Sequence, residues 1–406
     1  MSQLDTQYSW LRLFISLLIA VIGNVGMWAI VVVMPDFQSE MGLDRADASL
    51  PYTFTMIGFA VGNYAIGRMV DRYGIVACLL GAAVLNSGAF YATTLTSSLA
   101  LICFFQLLLG FGTAATFGPL IADVSKWFLK RRGIAVAVAA SGNYLSGAIW
   151  PLLLTGVLRT SGWHGVYLWL AVLTLVIMVP LSLLLSRQVN DQSIKLSDAQ
   201  SNNRLGSLPF SARTLTWLLG LAGVGCCVAM SMPQVHIVAY CVDLGYGPTA
   251  GAEMLSLMLM GGVVSRLISG MLSDRLGGVK TLLIGATLQC IGLILYLPSD
   301  GLTSLYLVSL IFGLSQGGIV PSYAIIVREY LPARVAGERV GFVMMATIMG
   351  MALGGWMSGW IYDVSGSYAL AFWNGIGWNF LNIVIIGFIL WRALQQQKQI
   401  QATTKY

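Results

Sequence analysis

Gly67-Arg68-Met69-Val70-Asp71-Arg72-Tyr73-Gly74 and Gly270-Met271-Leu272-Ser273-Asp274-Arg275-Leu276-Gly277 are two versions of one octapeptide, G-x-x-x-D-R-x-G. They lie 203 residues apart in a chain of 406, half its length. Later landmarks keep nearly the same offset: Phe117-Gly118-Pro119 answers Ile319-Val320-Pro321, and Ser161-Gly162-Trp163 answers Ser365-Gly366-Ser367. One such match arises by chance. Several at one offset mean that the chain is a duplicated unit.

Each octapeptide follows a long apolar run, and such runs fill the chain. Hydrophobic residues make up 57% and charged residues 9%, against about 25% charged in a soluble domain. So few charges cannot cover a water-exposed surface, but they suit one that faces lipid. Stretches such as 13–34, 100–121, 166–185 and 302–320 reach the roughly 20 apolar residues a bilayer crossing needs. The expected spans are 11–35, 48–70, 75–97, 98–122, 133–158 and 164–186, then 213–241, 251–272, 279–298, 302–325, 339–362 and 367–391. The first is too long for a signal-peptide core and runs on into further spans, so it reads as a membrane helix. The fold class is therefore an all-α membrane protein: twelve transmembrane helices in two pseudo-symmetric six-helix bundles, 1–186 and 213–406, joined by a polar linker over 187–212.

Lys and Arg set the orientation. With the N-terminus inside, 19 of the 22 basic residues fall in cytoplasmic loops, tails or the linker; Arg45 and Arg159 fall outside and Arg266 within a span. The expectation is a multi-pass protein of the cytoplasmic membrane with both termini cytoplasmic. That placement, rather than nucleic-acid binding, accounts for the net charge of +6.

The octapeptide has a physical sense. Gly67 and Gly270 let helices approach closely. Asp71, Arg72, Asp274 and Arg275 at the cytoplasmic surface can pair with one another and with a neighbouring helix end, forming a gate that opens when the halves rock. The six cysteines have no metal or redox spacing, so no metal and no cofactor is expected. With two histidines and no acidic cluster at one depth, an enzyme has little to stand on.

Arg266 stands out. Eight residues before Asp274, it lies about 12 Å deeper along the eighth span. An arginine there costs on the order of 2.5–3.5 kcal/mol unless it faces protein or water. All sixteen acidic residues fall in loops or at helix ends, so the expected counter-ion is a substrate. A carboxylate matches the guanidinium fork, and one fixed charge favours a small organic monoanion. Asn24 and Asn143, near mid-span in the first and fifth helices, and Tyr240 of the seventh are further substrate-binding candidates. His236, three residues after Pro233, is the candidate proton carrier. The expected partners are a small organic anion, the lipid bilayer and protons, with the protein working as a monomer.

These motifs resemble the major facilitator superfamily over essentially the whole chain. The resemblance implies a substrate cavity between two pseudo-symmetric halves. Three stretches resemble the monocarboxylate transporter group and its oxalate-exchanger relatives: Gly110-Phe111-Gly112 with Gly118-Pro119 and Lys126-Trp127-Phe128; Val235-His236 through Asp243-Leu244-Gly245; and Arg266 through Gly277. The last implies an anion-binding role for Arg266. The chain departs from that group at Gly262, Pro35-Asp36 and Thr347, where relatives carry charged side chains. The reading is a secondary transporter of a monocarboxylate, by proton coupling or anion exchange. Its alternatives are a drug or metabolite exporter of the same superfamily and a non-transporting membrane sensor.

Overall fold

The computed structural model describes residues 4–43, 45–190, 192, 194–196, 198, 199, 201 and 209–403, so part of the expected linker, including 202–208, lies outside the described residues. In bilayer hydrocarbon each backbone N–H and C=O must be satisfied within the protein. The described chain obeys this with helices: α1 Gln7–Gly23, α2 Val25–Met41, α3 Arg45–Tyr73, α4 Ile75–Thr93, α5 Leu99–Thr113, α6 Gly118–Ser125, α7 Arg132–Leu183, α8 Ala212–Asp243, α9 Gly247–Leu276, α10 Gly278–Tyr296, α11 Leu302–Gln316, α12 Ile319–Tyr330, α13 Ala336–Ser365 and α14 Tyr368–Thr403.

Among the described residues, eleven helical stretches are long and apolar enough to cross a membrane. The remaining long helix, α3, has 29 residues and is diluted by Tyr52, Thr53, Thr55, Asn63 and Tyr64. Its length and its place between α2 and α4 make it the second of twelve spans. Three expected single helices are broken. The first span changes direction at Asn24, between α1 and α2, the fourth passes through a 3-10 turn over Ala114–Thr116, and the tenth is interrupted between α11 and α12. The fifth and sixth spans form one helical run that turns at Gly162, whose φ of 63° suits glycine.

The chain forms two compact units. One comprises Met1–Phe128, Val138–Ser193 and Arg334–Met345; the other comprises Leu129–Ala137, Ile194–Ala333 and Ala346–Tyr406. The first is built around Ile30, Phe37, Phe90, Leu109, Trp150, Trp163 and Tyr167. The second is built around Met232, Met254, Met258, Tyr296, Phe312 and Phe372. Outward side chains such as Phe14, Val84, Val172, Trp217 and Val364 are apolar and exposed, as a lipid-facing surface requires.

The duplication recurs in the packing. A Cβ on Gly110 would lie 2.0 Å from the Thr55 carbonyl oxygen, and one on Gly313, its counterpart 203 residues on, 2.3 Å from that of Met258. Thr55 and Met258 are also 203 apart, so α3 crosses α5 as α9 crosses α11. In the first unit a buried clasp ties helix ends together. Arg12 donates through Nη2 and Nε to Asp123 at 2.8 and 3.2 Å and through Nη1 to the Leu185 carbonyl at 2.9 Å. Its guanidinium also lies 4.7 Å from the centre of the Trp127 ring.

Removing one member of such a pair strands the other charge. Arg12→Ala should therefore cost about 3–5 kcal/mol, read as a lower thermal unfolding temperature in detergent. The double variant with Asp123→Ala should recover part of that loss; a double variant worse than both singles would contradict the pairing account.

Candidate functional site

Arg266 projects from α9 and is 3% exposed. Its Nε donates to the carbonyl oxygen of Gly317 at 3.1 Å. The local sequence explains why that oxygen is available. In a continuous helix the Gly317 carbonyl would accept from the N–H of residue 321, and residue 321 is proline, which has none. The tenth span breaks between α11 and α12 at that point, and Arg266 occupies the place of the missing donor. Gly317 also lets the two helices meet: a Cβ there would lie 2.2 Å from the Gly262 carbonyl oxygen. The guanidinium is thus anchored to protein, where the charge pattern alone left it waiting for a substrate.

The first unit holds the counterpart. Asn63 stands 203 residues before Arg266 and eight before Asp71, as Arg266 stands eight before Asp274. Its Oδ1 accepts from the Gly118 N–H at 3.0 Å and its Nδ2 donates to the Phe59 carbonyl at 2.8 Å, so it too serves a broken fourth helix of its half. Reading the motifs singly passes over Asn63; applying the repeat offset to Arg266 would have found it.

Asn24 is fully buried at the break in the first span. Its Nδ2 donates to the carbonyls of Ala20 and Thr116, at 2.7 and 3.4 Å, so its amide joins the first and fourth spans. Its Oδ1 has no hydrogen-bond partner among the described residues. Asn143, on α7, directs Nδ2 to the sulfur of Met27 at 3.7 Å, which brings it against the same stretch of the first span. Tyr240 is placed elsewhere. Its hydroxyl donates to the Ser299 carbonyl at 3.4 Å, before the start of α11, whereas Gly317 follows its end. The 15 residues of α11 span about 22 Å, so Tyr240 and Arg266 cannot hold one small ligand together.

His236 has both ring nitrogens engaged. Nε2 is 2.8 Å from the Gly355 carbonyl oxygen and Nδ1 is 3.2 Å from the Tyr368 hydroxyl. A carbonyl only accepts, so Nε2 carries the proton and Nδ1 is left to accept from Tyr368 in the neutral ring.

The duplicated aspartates cap helices that begin in the opposite half of the sequence. Asp71 accepts from the Gly337 and Glu338 N–H groups of α13, at 3.0 and 2.8 Å. Asp274 accepts from the Gly133 and Ile134 N–H groups of α7, at 2.5 and 3.1 Å. A carboxylate there satisfies orphan donors and meets the positive end of the helix dipole. The glycines make the approach possible: a Cβ on Gly67 would lie 2.3 Å from the Gly337 carbonyl oxygen, and one on Gly270 would lie 2.5 Å from the Cβ of Ala137. Lys126 adds an ion pair to Asp71 at 3.4 Å, and the Arg72 guanidinium lies 5.2 Å from the centre of the Tyr73 ring. Arg275 is exposed in the last turn of α9.

Known proteins agree with this architecture. The Major Facilitator Superfamily family model matches residues 16–278 and 218–405. Monocarboxylate transporter 13 of Bos taurus is 30% identical over 333 residues, covering 80% of this chain and 75% of the relative. Monocarboxylate transporter 11 of Homo sapiens is 30% identical over 308 residues, covering 72% and 64%. Two solved structures share the fold at low identity. A human organic anion transporter has a TM-score of 0.74 at 15% identity and covers 94% of this chain and all of its own. The E. coli fucose:proton symporter has a TM-score of 0.72 at 14% identity, covering 94% and 98%. These relatives and neighbours are transporters rather than enzymes. The chain is a multi-pass membrane protein that belongs to the major facilitator superfamily, as a transporter related to the monocarboxylate transporters.

Proposed function

We propose that the protein carries a small organic monocarboxylate, with Arg266 as the group that binds it. The observation that carries this reading is a buried arginine in a membrane helix whose guanidinium is oriented through Nε by the Gly317 carbonyl. Anchoring at Nε fixes the plane of the fork, and a planar fork pairs with a carboxylate through two parallel hydrogen bonds. Arginine keeps its charge throughout, so one carboxylate gives a neutral pair whereas a dicarboxylate leaves about one negative charge over. The names of the relatives, monocarboxylate transporters 13 and 11, point the same way.

In this reading the halves 1–186 and 213–406 rock about the linker 187–212, and the caps made by Asp71 and Asp274 release on the cytoplasmic side. Asn24 and Asn143 are further substrate-binding candidates; Tyr240, whose hydroxyl is bonded to the Ser299 carbonyl, would act apart from Arg266. The carrier sits in the cytoplasmic membrane with both termini inside, a reading supported by the cytoplasmic placement of 19 of 22 basic residues. The carrier works by proton coupling or by exchange of one anion for another.

Counterflow in proteoliposomes with labelled lactate, pyruvate, an aromatic acid, oxalate and a sugar tests this. Wild type should exchange monocarboxylates in preference to oxalate and ignore the sugar. Arg266→Ala should remain folded and lose that exchange by about a hundredfold or more, the scale of a lost charge-assisted bidentate pair in a dry site. Sugar transport with carboxylates ignored would end the proposal. Pro321→Ala, which restores an N–H that competes for the Gly317 carbonyl, should raise KM several-fold with little change in maximal rate. His236→Gln should keep the wild-type pH profile; a flattened profile would make that histidine the proton carrier after all.

A further inference from the structure

Gln316, the last residue of α11, is fully buried, and neither its Oε1 nor its Nε2 has a hydrogen-bond partner among the described residues. A carboxamide carries two donor hydrogens and an acceptor oxygen. Leaving such groups unpaired in low dielectric is costly, and hydrocarbon supplies no water to relieve it. The position is a sensitive one, because Gln316 directly precedes Gly317, whose carbonyl holds Arg266.

The first unit satisfies the same position. Thr113, 203 residues earlier, is the last residue of α5, and its Oγ1 accepts from Asn86 Nδ2 of α4 at 3.3 Å. The counterpart of Asn86 is Gln289 on α10, also fully buried, and it turns elsewhere. Its Nε2 donates to the Cys226 carbonyl of α8 at 3.1 Å, and its Oε1 accepts from the Cys226 thiol at 3.6 Å. A neighbouring position explains the diversion. A Cβ on Gly112 would lie 2.1 Å from Asn86 Oδ1, and the residue in the place of Gly112 is Ser315, which has a Cβ. The second unit cannot copy the first unit's pair as it stands.

Gln289 nevertheless lies on the face of α10 that meets this turn of α11. It follows Gly285 by four residues and precedes Gly292 by three, so all three share one helix face. A Cβ on Gly285 would lie 3.7 Å from the Ser315 carbonyl oxygen, and one on Gly292 would lie 3.6 Å from Ser315 Oγ. We propose that Gln289 and Gln316 form a two-state amide switch inside the second unit. In the arrangement described, Gln289 ties α10 to α8 through Cys226 and leaves Gln316 unpaired. In the other, its carboxamide swings to Gln316 and ties α10 to the end of α11, while the Cys226 carbonyl keeps the bond that its own helix gives it. Each arrangement gives up one set of amide bonds for another, so a small bias at either helix moves the balance. The switch decides whether the helix end that anchors Arg266 is held by α10 or released from it. The inference requires nothing about what Arg266 binds.

The test is nuclear magnetic resonance of the full-length protein in lipid nanodiscs, with isotope-labelled nitrogen in the glutamine side chains. Loss of one signal in Gln289→Met and of another in Gln316→Met assigns the two amides. In wild type both should exchange between two environments at one shared rate, on the microsecond-to-millisecond scale of small helix shifts. In Gln316→Met the Gln289 signal should lose that exchange. The same variant removes two unpaired polar atoms at similar side-chain volume, so its thermal unfolding temperature should rise, by about 2 °C or more. A residue with a purely structural hydrogen bond would give a fall instead. Absent exchange or unequal rates in wild type, persistent exchange of Gln289 in Gln316→Met, or a lowered unfolding temperature in that variant would each overturn the proposal.

Discussion

A proline in a membrane helix leaves one carbonyl without its donor, and bilayer hydrocarbon supplies no water to replace it. Pro321 does this to Gly317, and the guanidinium of Arg266 fills the vacancy. Much of the second unit follows from that one bond. Gly317 and Gly262 bring α9 and α11 into backbone contact, so the side chain reaches the carbonyl from a neighbouring helix. A long flexible cation is thereby held at one end and pointed by it.

The same rule governs the other interruptions. Asn24 sits at the break of the first span and donates across to Thr116; Asn63 receives the Gly118 N–H; Asp71 and Asp274 take the first N–H groups of α13 and α7. In each place a short side chain from another helix completes a backbone that a helix alone would leave open. Such contacts are discrete, made or unmade. The duplicated halves use one scaffold for different ends. At matching positions one half has a neutral amide in Asn63 and the other a permanent cation in Arg266.

Most of the architecture was legible in the sequence because hydrophobic length and repeated motifs are local signals. The octapeptides, their offset and the spans foretold two six-helix bundles, and the break at Asn24 is a detail that hydropathy averages away. The site was legible in part. Arg266 announced itself as a charge in an apolar run, but its bond to Gly317 depends on which helix lies opposite Pro321, and that is tertiary information. Tyr240 and Arg266 fall in consecutive spans, yet α11 runs its full length between their partners. His236 looked titratable by type, and only Gly355 and Tyr368, more than a hundred residues away, fill both of its nitrogens. Asn63 was hidden because an amide is unremarkable by itself and gains meaning only as the counterpart of Arg266.

The central claim is that the Arg266 guanidinium recognises one carboxylate. Equilibrium binding of radiolabelled lactate to the purified protein, with unlabelled lactate and lactamide as competitors, addresses it without any need for transport. The two competitors differ in charge and scarcely in shape. The account predicts saturable binding displaced by lactate and not by lactamide, and its disappearance in Arg266→Gln. Equal displacement by both, or undiminished binding in the variant, would place recognition elsewhere in the molecule.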